Sequence, residues 1–270
     1  MKLNNFLIFF CLTFLFSCTN LKLAEVTPCS FPNETLEKGG LLNRFISKEN
    51  LDNSYKKYIC KDIAGHRLVY PISYSSKMKF TIMGETIILS EKEFRESRIT
   101  IKDNKFNQIS NENLTRIKTE REIYGRKISV KSVKKYQDTK FNFPAKGIIS
   151  SEYGVKRFIN GSPRNPHLGL DIAAETGTSV VAPENGKVIF VGEFFYRGNL
   201  IIIDHGNGII STYSHLNETF VSEGDNVLKN SKIGTVGSSG RVTGPHLHFE
   251  IILLGTCLLY TSPSPRDRIA

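Results

Sequence analysis

The chain has 270 residues, of which 40% are hydrophobic, and a formal net charge of +10 at pH 7. This length is enough for one large or two ordinary domains with hydrophobic cores, and we expect two. The positive charge suits contact with anionic envelope polymers or lipid head groups. It does not require nucleic acid, which we do not expect as a partner.

The first 17 residues have the pattern of a secretory signal peptide. Lys2 gives a positive start, and the apolar run over 6–16 is too short to span a membrane as an ordinary helix. The run ends in Leu-Phe-Ser-Cys, which resembles a bacterial lipobox, in which Cys18 becomes the lipidated first residue of the mature protein. An ordinary signal peptide with an incidental cysteine, or an uncleaved anchor, is the alternative.

Lipidation of Cys18 would tether the protein to a membrane surface without a spanning helix. Thr19, rather than an aspartate, follows the cysteine, and the sorting pattern of bacterial lipoproteins then indicates the outer membrane. We therefore expect a lipid-anchored protein of the cell envelope, located at the outer membrane and facing the periplasm.

Cys29 and Cys60 remain once the signal segment, Cys18 and the C-terminal tail are set aside. In an oxidising exported compartment the two could form a disulfide, and the long loop that it closes would contribute about 3 to 4 kcal/mol. Two independent buried thiols are the alternative.

Residues 18–110 have the pattern of a small β-rich domain. Residues 66–74 and 77–89 are rich in β-branched and aromatic side chains, and Gly84-Glu85 predicts a turn within the second run. Residues 94–101 also alternate as a strand does. Residues 41–58 could hold a short helix.

Residues 111–140 are a charged connecting segment. Leu114, Ile117 and Ile123 have weak helical spacing, which predicts a surface or linking helix over 111–124, and a polar linker follows over 129–140. Much of the basic charge lies in residues 116–140, and we interpret it as a solvated face rather than a binding site.

Residues 141–256 have short apolar runs separated by glycine turns. Strands spaced this closely predict an antiparallel β domain, and the glycines leave little room for helices. The fold class that we predict is therefore mainly β: a small β-rich domain followed by an antiparallel β domain.

Five of the six histidines lie in this second domain. Side chains on a strand repeat with a period of two, so His246 and His248 point to one face of a predicted strand. His167 and Asp171 are four residues apart and share a face if their segment is extended. Imidazole nitrogens and a carboxylate oxygen are good zinc ligands, and three of them leave a coordination position open for hydrolysis.

Residues 143–252, about two fifths of the chain, resemble the catalytic domain of LytM/lysostaphin-type zinc endopeptidases, which has the duplicated-hybrid-motif β fold. The matching motifs occur in the family's order. They are P-R-N-P-H-L-G-L-D-I-A at 163–173, G-N-L-I-I-I-D-H-G-N-G at 198–208, T-Y-S-H-L at 212–216, V-S-E-G-D at 221–225 and G-R-V-T-G-P-H-L-H-F-E at 240–250.

The resemblance implies a role for each histidine of the motifs but one. His167, Asp171 and His248 would bind one Zn²⁺ per chain, His246 would be the general base that takes a proton from the attacking water, and His215 would steady that water or the developing oxyanion. We interpret His205, at the end of a predicted strand, as structural.

The same resemblance implies hydrolysis of peptide bonds in peptidoglycan stems or cross-bridges, and the lipobox favours D,D-endopeptidase activity. The alternative is a scaffold without activity that binds peptidoglycan and activates other wall hydrolases. Such relatives have generally lost zinc ligands, whereas His167, Asp171 and His248 are all present here.

Residues 257–267 read C-L-L-Y-T-S-P-S-P-R-D, which looks like an in-frame translation of a transposase-type sequencing adapter. We therefore expect residues 257–270 to be a non-native tail and the native sequence to be interrupted near Thr256. The predicted peptidase domain ends at that residue.

Overall fold

Short antiparallel strands dominate the computed structural model, which describes residues 31–47, 52–62, 65–101, 106, 108–132 and 141–259. The mainly β fold predicted from the sequence is confirmed. The predicted signal segment 1–17, Cys18 and Cys29 lie outside the described residues. Within those residues, no helix combines the length and the apolar character that crossing a membrane requires.

The N-terminal region contains a three-stranded antiparallel sheet and a hairpin. Strands β1 (Leu41–Ile46), β2 (Ile59–Asp62) and β3 (Gly65–Pro71) form the sheet in the order β1-β3-β2. Strands β4 (Lys79–Ile82) and β5 (Glu85–Ile88) form the hairpin. The six buried residues of their small core are Leu42, Leu68, Ile72, Ile82, Ile87 and Leu89.

Residues 41–58 hold the short helix expected there, but only in their last part, and their first part is a strand. Leu41 and Leu42 are buried in β1, where the backbone pairs with β3, and this long-range pairing outweighs local helical preference. Only Asn53–Tyr58 is helical, as a 3₁₀-helix whose first turn is capped by the side chain of Asp52.

Strand β6 (Glu96–Ile99) precedes α1 (Asn111–Ile128), the one long helix among the described residues. The predicted helix over 111–124 is confirmed and extends four residues further. The Ser110 side chain caps its start by accepting a hydrogen bond from the Asn113 amide. The helix is not a detached linker, since the Glu120 carboxylate accepts a hydrogen bond from the Phe195 amide at 2.8 Å.

The C-terminal region supplies twelve further strands. They are β7 (Ile148–Ser151), β8 (Lys156–Ile159), β9 (Ser162–Pro163), β10 (Leu170–Ala173), β11 (Ser179–Val181), β12 (Gly186–Phe194), β13 (Gly198–Asp204), β14 (Ile209–Thr219), β15 (Asn226–Val227), β16 (Lys232–Val236), β17 (His246–Leu253) and β18 (Thr256–Leu258).

Ten of these strands form one antiparallel sheet. Its main path runs β15-β12-β13-β14-β17-β10-β7, with β18 beside β17 and β16 bridging β14 and β11. Because β10 and β17 are neighbours, the two segments that carry the predicted metal ligands lie side by side, with β14 on one side of the pair and β7 on the other.

Strand β6 joins the two regions through backbone hydrogen bonds. It runs parallel to β8, with Glu96 opposite Lys156 and Ile99 opposite Ile159, and β9 completes this three-stranded sheet. The N-terminal region therefore packs against the C-terminal region as part of a shared sheet, which its sequence pattern did not indicate.

The central strands of the large sheet are buried on both faces. Along β13, Leu200 and Ile202 pack in one cluster, while Ile201 and Ile203 pack in the main core on the opposite side. All four side chains are fully buried. Helix α1 covers the first face through Ile123, which explains why β13 is a continuous apolar run rather than an alternating one.

Replacing Ile201 with alanine should lower the free energy of unfolding by about 2–5 kcal/mol, because the lost side chain leaves a cavity in the main core. The matched control is Ile148→Ala on the edge strand β7, since Ile148 is 77% exposed. It should change stability by less than about 0.5 kcal/mol. Urea denaturation measures both, and equal effects would contradict this assignment of the core.

Strand β18 extends the sheet two residues beyond the predicted domain end at Thr256. Ile252 pairs with Cys257 and Ile251 with Leu258, so both residues complete a hairpin with β17. The prediction that 257–270 is non-native concerns the origin of the sequence and stays a prediction. Cys60 is disulfide-bonded, and its predicted pairing with Cys29 likewise stays a prediction.

Candidate metal centre

Strand register places two of the predicted metal ligands directly opposite each other. Asp171 on β10 pairs with His248 on β17, and Ala173 pairs with His246. Side chains of directly opposed residues lie on the same face of a sheet. His167 precedes β10, and its amide donates to the Val155 carbonyl at 2.9 Å, which fixes the segment leading into the strand.

The three side chains His167, Asp171 and His248 converge at a buried point. His167 Nε2 lies 3.0 Å from Asp171 Oδ1, and His248 Nδ1 lies 2.7 Å from the same oxygen. The two imidazole nitrogens are 3.0 Å apart. A Cβ atom at Gly169 would lie only 2.7 Å from His248 Cε1, so glycine is required beside this cluster.

Each of the three residues uses its remaining polar atom for a contact that fixes its orientation. His167 Nδ1 donates to the Glu152 carbonyl at 2.9 Å. Arg157 donates from Nη2 to Asp171 Oδ2 at 2.7 Å, and His248 Nε2 lies 3.2 Å from Glu250 Oε1. Contacts of this kind set the ring orientation and basicity of metal ligands.

Glu250 is the centre of a buried polar network behind His248. Arg197 donates to it through Nη1 at 2.9 Å and through Nη2 at 3.2 Å, and Thr212 Oγ1 donates at 2.8 Å. The Tyr124 hydroxyl, from helix α1, donates to the same carboxylate. The Arg197 guanidinium also lies over the Tyr124 ring, 4.1 Å from its centroid.

Arg157, Arg197, Glu250 and Tyr124 were not identified from the sequence. Glu250 follows His248 by two residues, so the strand period placed it on the same face and could have identified it. Tyr124 precedes Glu250 by 126 residues, and no local pattern links a helix to a strand over that separation.

The remaining two predicted residues, His215 and His246, lie beside the three converging side chains. Their ring centroids are 4.8 Å apart, and that of His215 is 6.0 Å from that of His248. His215 Nδ1 lies 2.8 Å from the Ser239 carbonyl, and His246 Nδ1 lies 2.9 Å from the Gly244 carbonyl. A carbonyl only accepts, so Nδ1 carries hydrogen in both rings and Nε2 is the acceptor of each neutral ring.

His205 lies apart from this group, in agreement with the structural role predicted for it. Its Nδ1 lies 2.7 Å from the Asn185 carbonyl, and its Nε2 lies 2.7 Å from Ser211 Oγ. Both ring nitrogens therefore serve to hold the turn between β13 and β14.

The electrostatics of the centre favour ionised carboxylates. Burial alone would raise the pKa of Asp171, but its contacts with His167 and His248, and the charge of His248, outweigh burial and lower it. Burial would likewise raise the pKa of Glu250, and the Arg197 charge and the contacts of His248 lower it well below its usual value. Two buried negative charges therefore lie beside the convergent nitrogens.

The histidines differ in their protonation. Burial lowers the pKa of His167. Burial, and then the charges of His248 and His246, lower the pKa of His215 to about 3, so this ring is neutral at neutral pH. Burial lowers the pKa of His248, yet hydrogen bonds with Asp171 and Glu250 outweigh it and raise that pKa.

This donor set fits a zinc ion. Two imidazole nitrogens and one carboxylate oxygen are available at one buried point, and no second group of three such donors occurs in the described residues. Three protein ligands of this type leave one coordination position open, as in hydrolytic zinc sites.

The chain was compared with known proteins, and residues 165–258 match Peptidase family M23. Over 108 residues the chain is 40% identical to the peptidoglycan DD-endopeptidase ShyA of Vibrio cholerae. This match covers 40% of this chain and 25% of that protein. Over 107 residues it is 41% identical to the DD-carboxypeptidase/endopeptidase Mpg of Neisseria meningitidis, covering 40% of this chain and 25% of that protein. The matched segment thus spans about a quarter of the length of these curated relatives.

A solved structure from Pseudomonas aeruginosa, assigned to peptidase M23, is similar over most of the chain. The TM-score is 0.61 at 25% sequence identity, and the match covers 87% of this chain and 96% of that one. The similarity therefore includes the N-terminal region as well as the large sheet.

Proposed function

We propose that this chain is a zinc-dependent endopeptidase that hydrolyses peptide cross-links of bacterial peptidoglycan, since its residues 165–258 match Peptidase family M23. The observation that carries this proposal is the convergence of His167, Asp171 and His248 beside two further histidines whose Nε2 atoms are acceptors. This arrangement provides a metal site and a base at one place.

His167 Nε2, Asp171 Oδ1 and His248 Nδ1 would hold the ion. When bound, Zn²⁺ polarises the scissile carbonyl and lowers the pKa of water. The contacts from Arg157, Glu250 and the Glu152 carbonyl keep the three ligand atoms oriented toward that ion.

His246 would move the proton. Its Nε2 takes a proton from the attacking water as the water oxygen bonds to the carbonyl carbon, and it returns the proton to the nitrogen as the C–N bond breaks. His246 suits this role because Nδ1 donates to the Gly244 carbonyl and leaves Nε2 as the acceptor.

His215 would orient the attacking water rather than bind the oxyanion. An oxyanion needs a hydrogen-bond donor, whereas the His215 hydrogen is on Nδ1, toward the Ser239 carbonyl. Its Nε2 can only accept a hydrogen bond, which suits a water molecule. Of the two roles that the sequence resemblance left open, the geometry favours the first.

The bond that we propose is a D,D cross-link, with support from the names of the relatives ShyA and Mpg. We further propose that lipidation of Cys18 anchors the protein in the outer membrane, facing the periplasm, on the basis of the sequence pattern over residues 1–19. The alternative function, a scaffold that activates other hydrolases, has less support because the donor atoms of His167, Asp171 and His248 converge at one point.

The test is mass analysis of muropeptides after purified sacculi are incubated with the zinc-loaded protein. Cross-linked dimers should fall and monomers should rise, and the new termini identify the bond. Chelation of the metal should stop the reaction, and added Zn²⁺ should restore it. A folded protein that binds sacculi and leaves the dimers unchanged would favour the scaffold.

A further inference from the structure

Three arginines lie on segments that border the metal centre, and one of them, Arg157, contacts it. Arg157, on β8, contacts Asp171 Oδ2 at 2.7 Å. The Arg164 amide donates to the Arg157 carbonyl at 2.9 Å, so Arg164 lies beside that strand. Arg241 lies on the loop that leads into β17 and His246. This loop borders the centre, since the carbonyl of Ser239, two residues before Arg241, lies 2.8 Å from His215 Nδ1. The basic residues therefore lie on two separate segments.

The loop that carries Arg241 is held in place. The Arg241 amide donates to the Tyr196 carbonyl at 3.0 Å, and its guanidinium lies 4.3 Å from the centroid of the Tyr196 ring. Gly240 before it has φ +75°, and a Cβ there would lie 2.4 Å from the Gly198 amide nitrogen. The guanidinium is thus stacked on a ring, which leaves its N–H edge available to a ligand.

Two of these cations form no ion pair within the described residues. In the described part of the chain, neither Arg164 nor Arg241 forms an ion pair, whereas Arg157 does. Burial first, and then the positive charges of Arg164 and Arg157, lower the pKa of Arg241. The positive charges of Arg164 and Arg157 thus act against that of Arg241, and a bound anion would relieve this repulsion.

We propose that Arg241, assisted by Arg164, binds a carboxylate of the substrate next to the scissile bond. The inference rests on the proposed peptidase function and adds a substrate class to it. Arginine forms paired, charge-assisted hydrogen bonds with a carboxylate. Stacking on the Tyr196 ring orients the Arg241 guanidinium before the substrate binds.

The chemistry of the bond specifies which carboxylate this is. The carboxyl group of the acyl residue is consumed in the scissile bond, so the nearest free carboxylate belongs to the residue that supplies the nitrogen. In a cross-link made to a diamino dicarboxylic acid, the carbon attached to that nitrogen carries such a group, whereas a side-chain amine of lysine would lack it. A C-terminal amino acid, as a carboxypeptidase releases, has its carboxylate in the same place.

The experiment compares two cross-linked muropeptide dimers that differ in one group. The first has a free carboxylate on the carbon attached to the scissile nitrogen, and the second has a carboxamide there. The zinc-loaded full-length protein should cleave the first dimer with a kcat/KM about 10- to 100-fold higher than the second. A hydrogen bond to a charged group changes a binding constant by about that factor.

Variants identify the residue responsible. Arg241→Gln should bring the ratio between the two substrates close to one, and Arg241→Lys, which keeps the charge without the paired geometry, should leave an intermediate ratio. Arg164→Gln should reduce the ratio less. Lys187→Gln is the matched control, because Lys187 is exposed on β12, which is separated from β17 by β13 and β14.

The outcomes separate the two claims. Equal cleavage of both dimers by the unmodified protein would overturn the carboxylate site and leave the peptidase function standing. Cleavage of neither dimer would overturn the peptidase function, and the inference with it. An unchanged ratio in zinc-loaded Arg241→Lys and Arg164→Gln would also overturn the assignment, even if Arg241→Gln fails to fold.

Discussion

The His248→Ala variant should lose cleavage of peptidoglycan cross-links, with kcat/KM at least about 1,000-fold lower, because stabilisation by the metal is worth several kcal/mol and each 1.36 kcal/mol is about a factor of ten. His248 Nδ1 lies within 3.0 Å of both His167 Nε2 and Asp171 Oδ1. Its removal takes away one of three donors, so bound zinc should fall well below one ion per chain. Muropeptide analysis and metal content measure the two effects.

The matched control for this variant is His66→Ala, which removes a histidine on β3 in the N-terminal region. It should keep both zinc and activity. A His248→Ala protein that retains a full complement of zinc would contradict the assignment of this ring as a ligand.

The His246→Ala variant should keep its zinc and still lose most of its activity. A positioned general base contributes about 10²- to 10⁴-fold to a rate, and we expect kcat to fall by an amount in that range. His246 Nε2 lies 3.8 Å from Asp171 Oδ1, farther than either nitrogen of the predicted ligands. Single-turnover rates together with metal analysis separate this variant from His248→Ala.

The two variants therefore differ in one readout. If His246→Ala lost zinc to the same extent as His248→Ala, His246 would be a ligand and another group would have to take the proton. If it kept both zinc and full kcat, the base would lie elsewhere.

The sequence predicted the elements of the site more fully than their surroundings. The period of two in His246-Leu247-His248 placed both imidazoles on one face, and β17 has this arrangement. The pairing of Asp171 with His248 could not be predicted from local pattern alone, because the two residues are 77 positions apart. Register between distant strands depends on how the whole sheet assembles.

The N-terminal region was predicted less well, for a related reason. The strand β1 was not predicted within residues 41–58, which were expected only to hold a short helix, because β1 depends on its pairing with β3. The parallel pairing of β6 with β8 was missed because its partners are separated by the whole of α1. Arg157 was missed for the same reason, since its role depends on where β8 lies beside β10.

Helix α1 has a consequence for how this protein could be recombined with others. The match to the peptidase family begins at residue 165, yet Tyr124, forty residues earlier in α1, donates its hydroxyl to the carboxylate behind His248. A gene fusion joined between α1 and the sheet would inherit Glu250 and Arg197 without that hydroxyl. A hydrogen bond to a charged group contributes about 1.5–3 kcal/mol, so α1 and the sheet should be transferred together.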